Sequence, residues 1–362
     1  MCKRIFANQT APEGEVPFYK IGTIGDKADA YISKELFDEY KLKYNYPKCG
    51  EVMITCAGTV GKTILYNGQD AYYQDSNIVW LSNPKNFYSN AFLNYLLNRV
   101  DWSKLNSTTI TRIYNDNLRE LHITFPSRQE QDRIVSLLTK IDERITVQSK
   151  IIEDLKTLRS ALHHQIMRNG LADGSWEQKR LSEVLLERTE LNSKEYAVHS
   201  VSVSKGIVNQ IEYLGRSFAA KDTSKYHVAY PGDIVYTKSP TGEFPYGIIK
   251  QSHISIKAAI SPLYGVYVPL SQEIGYIIHN HFLSAKNALN YLHPLIQKGA
   301  KNTINITNQR FLQNSIPLPS NQNATVLYSK TIKAVSDKIA LEVSVLDKLQ
   351  LQKSHFLQTM FI

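Results

Sequence analysis

Ten positions spaced alternately four and three residues apart occur twice in this chain, 194 residues apart. The first set is Ile134, Leu138, Ile141, Ile145, Gln148, Ile152, Leu155, Arg159, Leu162 and Ile166. The second is Tyr328, Ile332, Val335, Ile339, Glu342, Leu346, Leu349, Lys353, Phe356 and Met360. The polar exceptions fall on the same rungs. A 4-3 spacing places one residue per turn on a single stripe, the seam along which helices pack as a coiled coil. Neither stripe can bury itself, so each is the natural partner of the other, and a two-fold exchange of the copies predicts antiparallel pairing.

The segments ahead of the helices repeat as well. Ile113, Asn115, Leu118, Ile123, Pro126 and Ser127 return 193 residues later as Ile306, Asn308, Phe311, Ile316, Pro319 and Ser320. Further upstream, Tyr46-Pro47-Lys48-Cys49-Gly50-Glu51-Val52 has a looser echo in Tyr230-Pro231-Gly232-Asp233-Ile234-Val235, at an offset of only 182. The expected architecture is α+β: two mixed globules joined by two long helices that form an antiparallel coiled coil, with an internal two-fold duplication. Its parts are a first globule over 1–126, a helix over 127–170, a second globule over 171–319 and a last helix over 320–362.

The 362 residues leave room for two or three domains, and 43% hydrophobic content gives each a core. The net charge of +9 is spread along the chain and is greatest, at +4, in the second globule. That balance suits an acidic partner such as nucleic acid. Cys2, Cys49 and Cys56 contain no C-x-x-C pair and cannot all be bridged within one chain, which favours a reducing cytoplasm. No apolar run approaches the roughly 20 residues that span a bilayer, so no membrane association is expected.

Local patterns predict strands over 16–21, 51–57 and 77–81 and a helix over 90–98 in the first globule. Ser127 followed by Glu130 is a capping-box signature, opening a helix that Asn169-Gly170 should stop. About 40 helical residues reach about 60 Å, too long to fold back inside a small globule. In the second globule strands are expected over 197–203, 233–238, 247–250 and 264–268, and one helix over 274–291. The last helix runs from 324.

Ala57-Gly58-Thr59-Val60-Gly61-Lys62-Thr63 ends as a phosphate loop does, but the glycine required at position 56 is Cys56. The alternatives are a tight inter-strand turn, or a glycine turn that lets backbone approach DNA phosphates with Lys62 supplying charge. No Asn- or Asp-Pro-Pro-aromatic loop for adenine methylation is present, and Asn83-Pro84-Lys85 reads as an ordinary turn. Asp173 with Glu177-Gln178-Lys179 has a nuclease's letters, but too close together. The histidine clusters His163-His164 and His279, His281, His293 lack the partner spacing of a metal site. The chain reads as non-catalytic, with no metal.

Polar and basic residues near the ends of the globules suit DNA contact better. Thr108-Thr109-Ile110-Thr111-Arg112 corresponds in position to Lys298-Gly299-Ala300-Lys301-Asn302-Thr303, both just before the repeated segment that leads into a helix. The candidates for contacting phosphates or base edges are Thr59, Lys62, Gln74, Thr111 and Arg112 in the first globule, and Lys238, Thr241, Lys298, Lys301 and Asn302 in the second.

The order of globule, helix, globule, helix resembles the specificity subunit of Type I restriction-modification enzymes. So do Trp176-Glu177-Gln178-Lys179-Arg180-Leu181, the turns at Gly50-Glu51-Val52 and Gly232-Asp233-Ile234, Gly58-Thr59-Val60-Gly61, and the entries into both helices. The resemblance covers nearly the whole chain. It implies two target recognition domains, each reading half of a bipartite site in double-stranded DNA, and helices that space the half-sites and bind two methyltransferase subunits. Restriction and translocation subunits would join them, and S-adenosylmethionine, ATP and magnesium would sit on those partners, leaving this chain without a cofactor. One departure is that the counterpart of Trp176 falls some 15 to 20 residues ahead of Met1, so the first domain is expected to be short at its N-terminus. Competing readings are a coiled-coil adaptor that binds protein, a nucleotide-hydrolysing enzyme, and the recognition subunit of a related methylating nuclease.

Overall fold

The computed structural model describes residues 1–105, 112–298 and 304–361. The chain divides into two compact units: Met1–Ser149 with Ser344–Ile362, and Lys150–Val343. The division cuts both long helices near mid-length, so each unit holds a globule and a piece of each helix.

In unit 1, β1 (Val16–Tyr19), β2 (Tyr31–Ile32), α1 (Lys34–Lys43), β3 (Val52–Thr55), β4 (Thr63–Leu65), β5 (Tyr72–Tyr73) and β6 (Ile78–Leu81) build two three-stranded sheets, ordered β2-β1-β5 and β4-β3-β6. β1, β3 and β6 lie within the stretches expected from the pattern, whereas the short β2, β4 and β5 fall outside them. The helix α1 was not anticipated, because only Phe37 of its charged sequence is buried; Ser33 caps it by accepting from the Leu36 amide. The first sheet covers an aromatic core in which Phe37, Tyr46 and Tyr72 meet edge to face or tilted. Next come α2 (Asn90–Arg99), the short α3 (Asn115–Arg119) and the first long helix, α4 (Arg128–Asp173).

α2 is apolar on two sides, and this joins the globule to the helices of unit 1. Leu93 and Leu97 pack with Val52, Ile54 and Val79 of the second sheet, while Phe92, Tyr95 and Leu96 pack with Ile134, Leu138 and Phe361. The buried Gln131 fastens the same joint. Its side chain accepts from the Ser89 amide (2.8 Å) and donates to the Pro126 carbonyl (2.9 Å).

Unit 2 opens with β7 (Trp176–Arg180), β8 (Leu185–Glu187), β9 (His199–Ser202), β10 (Gly206–Asn209) and α5 (Gln210–Leu214). β11 (His227–Ala229), β12 (Ile234–Tyr236), β13 (Ile249–Gln251), β14 (Ala258–Ile260) and β15 (Gly265–Pro269) follow, with β13-β12-β15-β8 forming an antiparallel sheet. Then come α6 (Gln272–His281), α7 (Ala285–Leu292), β16 (Gln297–Lys298), β17 (Ile304–Asn305), α8 (Asn308–Phe311), β18 (Ser315–Pro319) and the second long helix, α9 (Gln322–Thr359). The single helix expected over 274–291 is two. Ser284 accepts from the Asn287 amide and restarts the chain as α7, letting both pieces bury a face in the same core.

α4 does not stop at Asn169-Gly170 but runs on to Asp173, and Gly174 in the left-handed region (φ +80°) closes it. Gly170 is small for another reason: a Cβ there would lie 2.1 Å from the Trp176 ring. Trp176 also meets the Tyr328 ring edge to face (5.4 Å), and β7 pairs with β18 over five residues, from Trp176 opposite Pro319 to Arg180 opposite Ser315.

In each unit the numbering rises along one long helix as it falls along the other. Unit 1 packs Ile134 and Leu138 with Phe356 and Met360, and pairs Asp142 with Lys353 at 2.6 Å. Unit 2 packs Leu162 and Ile166 with Tyr328 and Ile332. All twenty ladder positions, including Ile141, Ile145, Ile152, Leu155, Val335, Ile339, Leu346 and Leu349, are buried or half-buried, as a seam requires. The fold is thus α+β, with the two helix segments antiparallel in each unit.

Candidate nucleic-acid interface

The echo between Gly50-Glu51-Val52 and Gly232-Asp233-Ile234 has a physical cause. Each glycine turns the chain at positive φ, +83° and +90°, and each buried carboxylate caps the turn by accepting a backbone N–H three residues earlier: Glu51 from Lys48 (2.9 Å), Asp233 from Tyr230 (2.8 Å). In unit 2 Arg188 adds two hydrogen bonds to Asp233, at 2.7 and 3.0 Å. These turns set the central strands β3 and β12.

At the far end of those strands the frame repeats again, at residues whose role the sequence pattern does not reveal. Thr55 and Thr237 are buried, and each donates its backbone amide to a carbonyl of the returning chain while its hydroxyl accepts the amide of that same residue. The Thr55 amide donates to the Lys62 carbonyl and its Oγ1 accepts from the Lys62 amide, both at 3.0 Å. Thr237 does the same with Ile248, at 3.1 Å. The loops so held differ: 56–61 in unit 1, and the longer 238–247 in unit 2. Only the 182-residue offset, carried past the glycine turns, could have exposed these threonines in the sequence.

The loop in unit 1 is tight. Gly58 and Gly61 have φ of +66° and +84°, and the side chains of Ile21 and Trp102 press where their Cβ atoms would be. Thr63 then begins the strand β4 and donates to the Asn94 carbonyl (3.3 Å), where a phosphate loop would begin a helix. The Gly-Lys-Thr letters are therefore a hairpin turn. Thr59 is exposed at its tip, and Lys62 is half-buried against Gly25.

Around that turn the structure gathers the other described candidates of unit 1. The Cys56 amide donates to the Asn77 carbonyl (2.7 Å), the Ile113 amide to the Cys56 carbonyl (2.9 Å), and the Arg112 guanidinium to the Ser76 carbonyl (3.0 Å). Gln74 Oε1 accepts from the Ile21 amide at 3.3 Å, so its oxygen braces the neighbouring loop. Arg4 meets Asp75 at 3.5 Å. Thr111 lies outside the described residues, as does the rest of 106–111.

In unit 2 Lys238 begins the loop at φ +59°, half-buried, with desolvation lowering its pKa. Thr241 closes a small bridge with Phe244, each amide donating to the other's carbonyl at 3.0 Å. Lys301 and Asn302 lie outside the described residues. Lys298 belongs to the ribbon β16–β17, but its side chain is also outside them.

A further surface lies in the stretch 205–218, where the sequence pattern does not show which apolar side chains stay exposed. Around α5, Ile211, Tyr213, Leu214 and Phe218 are all exposed. Basic side chains lie over two of the rings: Lys205 is 5.4 Å from the Tyr213 centroid, and Arg216 is 4.4 Å from that of Phe218. Exposed apolar groups interleaved with cations suit a nucleic-acid surface. Among the described residues, no group of three or more His, Cys, Asp or Glu side chains could hold a metal ion, and no helix is long and apolar enough to cross a membrane.

Known proteins share both the sequence pattern and the fold. Residues 1–157 match the family described as Type I restriction modification DNA specificity domain. A protein of Haemophilus influenzae strain Rd, provisionally named a type I restriction enzyme specificity subunit, is 49% identical over 155 residues. That match covers 43% of this chain and 40% of the relative, so the shared stretch is less than half of either protein. The crystal structure of a Type-I restriction-modification system S subunit from M. genitalium is similar in fold, with a TM-score of 0.56 at 15% identity, over 100% of this chain and 92% of that one. In sequence, the likeness to the Type I restriction modification DNA specificity family rests on residues 1–157.

Proposed function

We propose that this chain is the specificity subunit of a Type I restriction-modification complex, binding double-stranded DNA at a bipartite target. The observation that carries this reading is the repeated threonine frame, on which two loops of different length and chemistry are mounted. A constant mount with dissimilar loops is what two separate half-site readers need. The exposed basic and aromatic surface around α5 adds phosphate and stacking contacts to the second reader. Base contacts by Thr59, Lys62, Gln74, Arg112, Lys238 and Thr241, and by Thr111, Lys298, Lys301 and Asn302, belong to the same proposal.

The chain supplies address and no chemistry. Two methyltransferase subunits dock on the helices, restriction and translocation subunits join them, and S-adenosylmethionine, ATP and magnesium bind on those partners in the cytoplasm. The test is to co-express the chain with its methyltransferase and map methylated adenines. Two half-sites at a fixed gap are expected, and replacing 176–319 by the corresponding part of a relative should rewrite one half-site only. If both half-sites changed together, or if the purified chain bound duplex DNA without salt dependence, the reading fails and a protein-binding adaptor replaces it.

A further inference from the structure

Within unit 2 a pocket opens between α4 and the junction of α6 with α7, and its lining is electrically unbalanced. Lys156, Arg159 and Lys250 face it with one carboxylate, Glu243. Lys156 is already paired with Glu153 at 2.7 Å. Lys250 is not: it is 3% exposed, and among the described residues its ammonium has neither a carboxylate partner nor a hydrogen-bond acceptor. The half-buried Arg159 guanidinium is likewise without a partner among the described residues.

A buried cation with no ion-pair partner, beside a second that is half-buried, is costly, and a protein normally neutralises such a group or pairs it. Burial holds the Lys250 ammonium down at about 8, and the neighbouring Arg159 pushes the same way. The nearby imidazoles of His163 and His279 are kept neutral by burial and offer no negative charge. The pocket wall also includes Ser284 and Ala285, where α7 begins and its first amides point outward with the positive end of the helix dipole.

We infer that this pocket is a binding site for a phosphate-type oxyanion, held by Lys250, Arg159 and the first turn of α7. The site does not depend on the DNA-reading proposal, since inorganic phosphate alone can probe it. The ligand in use is then either free phosphate or the phosphate of a nucleic-acid backbone.

The test is thermal unfolding and calorimetric titration of the full chain with inorganic phosphate, against chloride at matched ionic strength. A saturable, phosphate-specific rise in Tm is expected. Lys250→Met should weaken phosphate binding at least about tenfold, the loss expected for one charge-assisted hydrogen bond. It should also raise Tm in phosphate-free buffer, because it removes an uncompensated buried cation while keeping the volume. Lys156→Met, at the lip, should change affinity by no more than about twofold. If Lys250→Met also lowers the salt slope of duplex binding by about one counterion, the source is the DNA backbone. An unchanged slope with lost phosphate binding identifies a free phosphate. Absence of a phosphate-specific shift in the unmodified chain, or a shift that survives Lys250→Met, overturns the site.

Discussion

The stretch 122–126 and the strand β18 occupy the same place in the repeat, yet their surroundings differ. In unit 2 β18 is covered by β7; Ile316 and Leu318 are 2% and 0% exposed. In unit 1, among the described residues, no strand pairs with 122–126, and Phe125, the counterpart of Leu318, is 37% exposed, kept in place by stacking on Tyr88 at 4.7 Å. The same holds one step further into the sheet, where β8 borders β15 in unit 2 while β6 is an edge strand in unit 1. An apolar alternation thus says which residues would face a core, but burial is granted by the neighbouring strand.

The helix joints differ in kind as well. Unit 1 uses an ionic contact, with Asp142 accepting from Tyr95 (2.8 Å) and paired with Lys353. Unit 2 uses a neutral, buried one, in which His163 meets Tyr328 at 2.7 Å and His281 at 3.4 Å.

The largest effect should come from the seam itself. Ile152→Asp and Leu346→Asp each place a carboxylate on a stripe rung, one in each unit's numbering range of the seam, and thermal or denaturant melting should show losses above about 3 kcal/mol at the buried Ile152. Wild-type melting of both variants would mean that the stripe is not a seam.

The strand comparison is sharpened by matched substitutions. Leu318→Asp should cost about 3 kcal/mol or more and Phe125→Asp about 1 kcal/mol, because only the first buries the charge. Hydrogen exchange should show the same order. Pro317 and Pro319 have no N–H to give, so the amides of Ile316 and Leu318 carry the β18 ladder and should exchange far more slowly than those of Ile123 and Phe125. Equal exchange in the two units would break the comparison.

The joints should part company in acid. Burial depresses His163 to about 4 and His281 to about 3, so between an unfolded value near 6.5 and those values the unfolded state binds more protons. Stability is therefore fully present above pH 6.5 and is lost as pH falls, by up to about 1.4 kcal/mol per pH unit for each histidine. Melting from pH 7 to pH 4.5 should show unit 2 weakening in this window, and His163→Gln should flatten its slope. A slope unchanged by that substitution would remove the neutral histidine joint from the account.

The smallest effect tests what the units share. Thr55→Val and Thr237→Val each delete one hydroxyl that accepts an amide, and each should cost about 1 kcal/mol. Similar losses at the two sites, read by chemical denaturation, are expected of one frame used twice.

The ladder was readable from sequence because a 4-3 period survives any loop change around it, and the strand cores at Val52–Thr55 and Ile234–Tyr236 were readable because they are continuous apolar runs between turn residues. The Gly-Lys-Thr letters misdirect until the next element is known, since Thr63 opens a helix in a phosphate loop and a strand in a hairpin. Gly170 shows the same ambiguity. In sequence, Asn-Gly reads as a helix stop, whereas in space the glycine clears room for Trp176 and the helix continues.

What the sequence determined by itself was the duplication, the two helices and the separation of constant frame from variable loops, all properties of local period and spacing. What only tertiary structure decided was which edges are covered, where Thr55 and Thr237 hold their loops, and which buried cations lack a counter-charge. Those depend on groups far apart in the chain meeting at hydrogen-bond and van der Waals distance, and no spacing along a sequence encodes such a meeting.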